Sequence, residues 1–216
     1  MAGVATGRRT SAGERRDARR ADLAATLLGP LDATLREVGG YEHVHLGGLL
    51  ERAGVARSTF YYAFDGKADL QLAIAQDLVE LVFEPGLRLL DGAGVVGVHE
   101  IALGAAQLAD GLNRYPHVCS AFLPGLGHAW LAPELEGRID DVRRRFERSI
   151  AAQVEAGTTR PGLDPGPTAA WLVGMLLHGT GRLLAAAGPV ARRRNATAMA
   201  EIAWLALYGR GLDAPR

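Results

Sequence analysis

Within its 216 residues, this sequence gathers its most chemically distinctive side chains between positions 57 and 67. The run is Arg57-Ser58-Thr59-Phe60-Tyr61-Tyr62-Ala63-Phe64-Asp65-Gly66-Lys67. On a helix, Phe60 and Phe64 fall on one face, and Arg57, Ser58, Thr59, Tyr61 and Tyr62 spread over the other. An arginine fork can donate two hydrogen bonds to guanine, and serine and threonine hydroxyls serve bases or phosphates. Tyrosine adds a hydroxyl for phosphate and a ring for thymine methyls. Lys67 opens the next helix, where free N–H groups and the positive dipole end make a phosphate anchor. Asp69 is placed to cap that same helix end. No comparable set speaks for catalysis: the chain has no nucleophile elbow, phosphate loop or paired-carboxylate motif. His117, Cys119 and His128 lie close in sequence, but their spacing fits no standard metal site. No catalytic residue, metal or cofactor is expected.

The flanking sequence supplies the scaffold such a face needs. Leu46, Leu49 and Leu50 give a short helix an apolar side, small Ala53 permits close packing, and Gly54 accepts a sharp turn with positive φ. Val55 plugs the turn before the second helix begins. Helix, small residue, glycine, hydrophobe, helix is the layout of a helix-turn-helix. The competing reading is an ordinary helical hairpin carrying a surface arginine and two half-buried tyrosines; the complete pattern favours a DNA reader.

Residues 40–74 resemble the DNA-binding domain of the TetR family of bacterial regulators. The resemblance rests on Gly40-Tyr41-Glu42, Leu49, Glu51-Arg52-Ala53-Gly54-Val55, Arg57, Thr59-Phe60-Tyr61-Tyr62, Phe64, Lys67, Asp69 and Leu70. It implies an all-α protein: an N-terminal three-helix helix-turn-helix domain and a larger helical domain for ligand binding and dimerisation. It places Arg57, Ser58 and Thr59 nearest the bases, Tyr61 and Tyr62 at DNA contact positions and Lys67 on a phosphate. It further implies a homodimer on a palindromic operator in double-stranded DNA, responsive to a small-molecule effector, with repression the family default; the expected location, the cytoplasm, comes separately from the lone Cys119 and the lack of a secretory signal or membrane span. The sequence departs from the pattern in places. Ala63 replaces the usual histidine. Val44 and His45 stand where a hydroxyl usually caps the second helix, leaving His45 to take over that phosphate contact. Gly47 and Gly48 weaken the same helix by roughly 1 kcal/mol each.

Composition agrees with a helical globular chain: 48% hydrophobic, 22% charged, net charge +0. Positive charge must therefore be local. Residues 1–20 hold it, with six arginines and a net +4; residues 1–16 read as a flexible basic arm, either lying along phosphates or solvated. The lone Cys119 makes no intrachain disulfide, and no apolar run is long enough for a membrane span. The domain with the helix-turn-helix is expected over 17–84 and the second domain over 85–216. A first helix over 17–38 should kink or break at Gly29–Pro30, and the helix opened by Lys67 should end near Phe83, before Pro85–Gly86. Further helices are expected at 98–113, 133–156, 167–187 and 191–209. On the 133–156 helix the arginines read as a solvated face, paired at i, i+4 as Glu134/Arg138, Asp140/Arg144 and Asp141/Arg145.

The last two helices, rich in apolar and small residues, suit either intrachain core or a four-helix interface between two copies. Candidate ligand contacts in the helical core are Phe83, Leu103, Gln107, Leu108, Phe122, Trp130, Phe146, Trp171, Met175 and His178. Mostly apolar walls suit a lipophilic or aromatic ligand that releases the protein from its operator. A constitutive regulator whose C-terminal domain only dimerises is the alternative.

Overall fold

The computed structural model describes residues 12–91, 96–127, 133–180 and 188–209, and among these the structure is helical with no strand. The helices are α1 (Ala12–Val38), α2 (Leu46–Arg52), α3 (Arg57–Ala63), α4 (Lys67–Leu90), α5 (Val98–Asn113), α6 (Pro116–Phe122), α7 (Pro133–Glu155), α8 (Pro165–Gly179) and α9 (Pro189–Tyr208). Short 3₁₀ turns occupy Tyr41–His43 and Leu123–Gly127. Helices α1–α3 and the start of α4 form a head; α5–α9 and the rest of α4 form a body. No helix is long and apolar enough to cross a membrane.

Helix α1 starts at Ala12, so the last residues of the expected arm belong to it; residues 1–11 lie outside the described residues. It also runs through Pro30 without the expected break. The cause is packing. Leu23, Leu27, Leu31 and Leu35 recur every four residues, and all are buried. Proline in a helix costs about 3 kcal/mol, while each fully buried leucine contributes about 1.5–3 kcal/mol, so the leucine stripe on both sides of Pro30 outweighs it. Gly39, at φ +84°, ends the helix as expected.

Helix α4 overrides its proline in the same way. It continues through Pro85 to Leu90, past the expected end near Phe83, because Leu87 and Leu90 are buried beyond the break point. Gly86 also passes close to Phe146: a β-carbon there would stand 3.2 Å from the ring. Residue 84 therefore lies inside a continuous helix whose first turns serve the head and whose last turns serve the body.

A second seam joins the halves. On α1, Asp32 accepts the backbone N–H groups of His117 (2.7 Å) and Val118 (3.0 Å), satisfying the first turn of α6 from a distant helix. Beside it Phe122, on α6, meets the Tyr41 ring edge-on, centroids 5.1 Å apart.

In the body, α7 buries Leu135, Val142, Phe146 and Ile150 as its spacing predicts. Its arginines pair differently from the i, i+4 scheme. Arg138 reaches Glu80 (2.5 Å) and Arg145 reaches Glu84 (3.5 Å), both on α4, while Arg144 takes Asp141 at i, i+3. Helix α8 begins at Pro165, with Asp164 capping the N–H of Gly166, and is described as far as Gly179; residues 181–187 of the expected helix lie outside the described residues. Buried Gln153 links three elements: its amide donates to the Leu90 carbonyl (2.8 Å) and accepts the Tyr208 hydroxyl (2.6 Å). Arg160 closes the end of α9 by donating to the carbonyls of Ala206 and Leu207.

Candidate DNA-reading head and apolar cavity

The head's turn between α2 and α3 is built as its residues require. Gly54 takes φ +66°, and Val55 N–H reaches back to the Leu50 carbonyl (2.9 Å). Phe60 and Phe64 lie fully buried beneath α3, ring centroids 5.3 Å apart. That anchorage leaves the opposite face in solvent: Arg57, Ser58 and Thr59 are exposed, as are Tyr61 (56%) and Tyr62 (61%). Among the described residues none of these five side chains has a hydrogen-bond or ion-pair partner; Arg19, on α1, lies over the Tyr62 ring at 5.5 Å, and the Tyr61 ring meets Phe60 edge-on, centroids 5.3 Å apart. Polar groups so arranged remain free to bond a ligand.

Lys67 is held differently. Its ammonium donates to the Glu42 carbonyl (3.0 Å) and sits 5.0 Å from the centroid of the Tyr41 ring. The Tyr41 hydroxyl donates to the Lys67 carbonyl (2.8 Å), and burial pushes that phenol well above its ordinary range. Lys67, Tyr41 and Phe122 thus form one stack from the head's surface to α6. Exposed His45 precedes α2 and makes no side-chain cap.

Asp69 does not cap the first turn of α4 as expected. It accepts the N–H of Asp65 (2.9 Å), one residue outside that helix end, and both its oxygens take the Arg20 guanidinium. The hydrogen-bonded guanidinium holds the Asp69 carboxyl below the usual carboxylate range. Arg20 also lies over the Phe64 ring at 4.8 Å, pinning α1 to the end of α3.

In the body, α4, α5, α7, α8 and α9 enclose a cavity of about 80 Å³. Every residue lining it is apolar, among them Val82, Leu108, Phe146, Met175, Met199 and Leu207. On the outside of the same helices, Trp171 (80% exposed), Val190, Ile202 and Leu205 stand in solvent.

Residues 31–74 match the family profile "Bacterial regulatory proteins, tetR family". The fold is shared with SmeT, the repressor of the Stenotrophomonas maltophilia multidrug efflux pump SmeDEF: TM-score 0.57, 20% identity, over 85% of this chain and 89% of that one. It is shared with the transcriptional regulator FadR from Bacillus subtilis, solved in complex with stearoyl-CoA: TM-score 0.56, 15% identity, over 86% and 98%. A putative TetR-family regulator from Mesorhizobium loti superposes with TM-score 0.55 at 17% identity, over 91% and 98%. Residues 31–74 thus carry a DNA-binding domain of the TetR type, and the chain as a whole shares the fold of these regulators. A search of curated proteins gives no sequence match.

Within the matched segment, Arg57, Ser58, Thr59, Tyr61 and Tyr62 share one exposed surface, with Lys67 at the next helix start. Ala63 is 2% exposed, so the missing histidine side chain belongs to a packing position here rather than to that surface. The ligand candidates do not come together. Phe146 and Met175 line the cavity. Phe83 is buried behind Phe146, ring centroids 6.2 Å apart, and Phe122 belongs to the α1–α6 seam. Gln107, Trp171 and His178 are exposed and line no part of the cavity, and Trp130 and His128 lie outside the described residues. Cys119 is buried, and burial pushes its thiol up to about 12, far from a reactive thiolate.

Leu108, also a candidate, lines the cavity, whereas sequence reasoning missed the rest of its leucine, valine and alanine lining, Asp32, and the contacts Arg19 and Arg20 make within the head. Arg20 and Asp69 are 49 positions apart, and Asp32 caps a helix more than 80 positions on. Their types are ordinary for helix surfaces, so nothing local marks them.

Proposed function

We propose that this regulator is a cytoplasmic homodimeric repressor that binds a palindromic operator through α3 and is released by a small lipophilic ligand in the body. The observation that carries the reading is the α3 face. Its hydrogen-bonding groups are exposed and unpartnered, on a helix fixed from below by two buried phenylalanines. Such a helix fits the major groove, with Arg57, Ser58 and Thr59 at its leading end, Tyr61 and Tyr62 following, and Lys67 and His45 on phosphates.

Three further features support it. The cavity's wholly apolar lining suits an uncharged hydrophobic ligand and favours this reading over a constitutive regulator. The exposed apolar side of α8 and α9 suits a second copy of the chain, which would set two heads on two half-sites. The α4 helix and the contacts of Asp32 and Tyr41 to α6 give ligand-driven movement in the body a physical route to the head. Among the similar folds, SmeT is the repressor of a multidrug efflux pump and FadR was solved in complex with stearoyl-CoA, which supports the reading by analogy of fold.

The test is a gel shift on a duplex enriched by the wild-type chain from a random pool. The Arg57→Ala/Tyr61→Phe double variant should bind it at least roughly 30-fold more weakly, the loss expected for one base-reading and one backbone contact. Undiminished binding removes α3 as the reading helix.

A further inference from the structure

We propose that Gly47 is a specificity-determining residue: its missing side chain leaves open the space the Arg57 guanidinium takes, and with it the direction in which α3 presents that fork to base pairs. The inference rests on the DNA-reading role argued above.

The contact is between two helices. Gly47 is the second residue of α2, and Arg57 is the first of α3. A β-carbon placed on Gly47 would stand 2.9 Å from an Arg57 guanidinium nitrogen and 4.0 Å from the guanidinium carbon. Real β-carbons essentially never come within 3.0 Å of another group, so any other residue at 47 must push the guanidinium elsewhere. Nothing else holds it: among the described residues Arg57 has neither a hydrogen bond nor an ion pair. Its orientation is set by its own rotamer and by the glycine beneath it.

Orientation is what an arginine reader needs. The guanidinium is a rigid planar fork that must meet the two acceptors of a guanine edge together. Turning the fork changes which base pair it can meet, even where its charge still attracts the duplex. On α2 alone, two adjacent glycines are only a loss of helix propensity. The structure separates them, because a β-carbon on Gly48 would meet nothing within 4 Å. Gly48 is therefore a built-in control: alanine at either position adds the same helix propensity, but only alanine at 47 touches Arg57.

The experiment uses the full chain and a pool of random-sequence duplexes, comparing wild type with Gly47→Ala, Gly48→Ala and Arg57→Ala. Base preference is read from the enriched sequences, fold from circular dichroism and thermal melting. Both glycine variants should melt at or above the wild-type temperature. Gly47→Ala should lose roughly tenfold discrimination at the same base pairs that Arg57→Ala affects, and Gly48→Ala should keep the wild-type preference. A Gly47→Ala profile identical to wild type overturns the proposal, as does a Gly48→Ala profile altered at those base pairs, or an Arg57→Ala profile unchanged. A wild-type chain that enriches no sequence overturns the DNA-binding reading and this inference together.

Discussion

The two ends of this molecule expose aromatic side chains to a similar degree and with opposite chemistry. On the head, Tyr61 and Tyr62 carry hydroxyls, stand among Arg57, Ser58 and Thr59, and have a cation from α1 over one ring. On the body, Trp171 on α8 is exposed, and so on α9 are Val190, Ile202 and Leu205, which have no polar atom in their side chains. A hydrated polyanion and a second protein surface make different demands. The first needs donors that water can also satisfy when the partner is absent; the second needs apolar area that water covers at a cost. Exposure alone does not tell a binding face from an oligomer face, whereas the atoms beside the ring do.

Swapping the chemistry of the body face is the strongest way to break this contrast. Trp171→Glu puts a carboxylate where the proposed interface needs apolar area. A tryptophan central to an interface is worth about 2–4 kcal/mol, so the dimer dissociation constant should rise roughly 30- to 1,000-fold. Sedimentation velocity at micromolar concentration reads it directly. The variant should also lose its advantage on a two-half-site duplex over a single half-site. A variant that remains dimeric shows that this face covers something other than a second copy.

The same contrast explains what could be read from the sequence. The α3 face was legible because its signal is local and polar: Gly54, Phe60, Phe64 and the residues between them fix a turn, a buried side and an exposed side within a dozen positions. The body's cavity was not, because leucine, valine, alanine and glycine look alike whether they fill a core or border a void. Aromatic and polar residue types single out Phe146 and Met175, which border the cavity, but equally Trp171 and His178, which turn outward. Pro30 and Pro85 misled for a related reason. Proline's penalty is local and visible, whereas the buried leucines that outweigh it act through tertiary packing. The Arg20–Asp69 pair joins two helices far apart in sequence, which no spacing rule reaches.

That pair tests whether the head's geometry is held electrostatically, as the body's is held by packing. Arg20 keeps Asp69 ionised and lowers its pKa in the folded chain. A depressed folded-state value means the stabilisation is present at neutral pH and is lost as pH falls through the acid range. Asp69→Asn should cost about 1–2 kcal/mol at pH 7, toward the lower end because both partners keep some solvent contact. Below about pH 3.5, where the carboxyl in the unfolded chain is largely protonated, the gap to wild type should narrow. Denaturant melts of both proteins across that range check the slope. A gap that does not change with pH would show that the charge of Asp69 is not what stabilises the head.

The smallest expected effect sharpens the contrast within the head itself, between a base reader and a phosphate anchor. Lys67→Met removes one cation while sparing the Lys67 backbone carbonyl that takes the Tyr41 hydroxyl, so the fold's own bond survives. A lysine on phosphate adds affinity without sequence information. The variant should bind about three- to tenfold more weakly at moderate salt, and the slope of log affinity against log salt should shrink by about 1. Its preference among duplex sequences should match wild type, in contrast to Arg57→Ala. An unchanged salt slope would show that the ammonium stays on the Glu42 carbonyl and the Tyr41 ring, which would make Lys67 a strut between head and body rather than a contact to DNA.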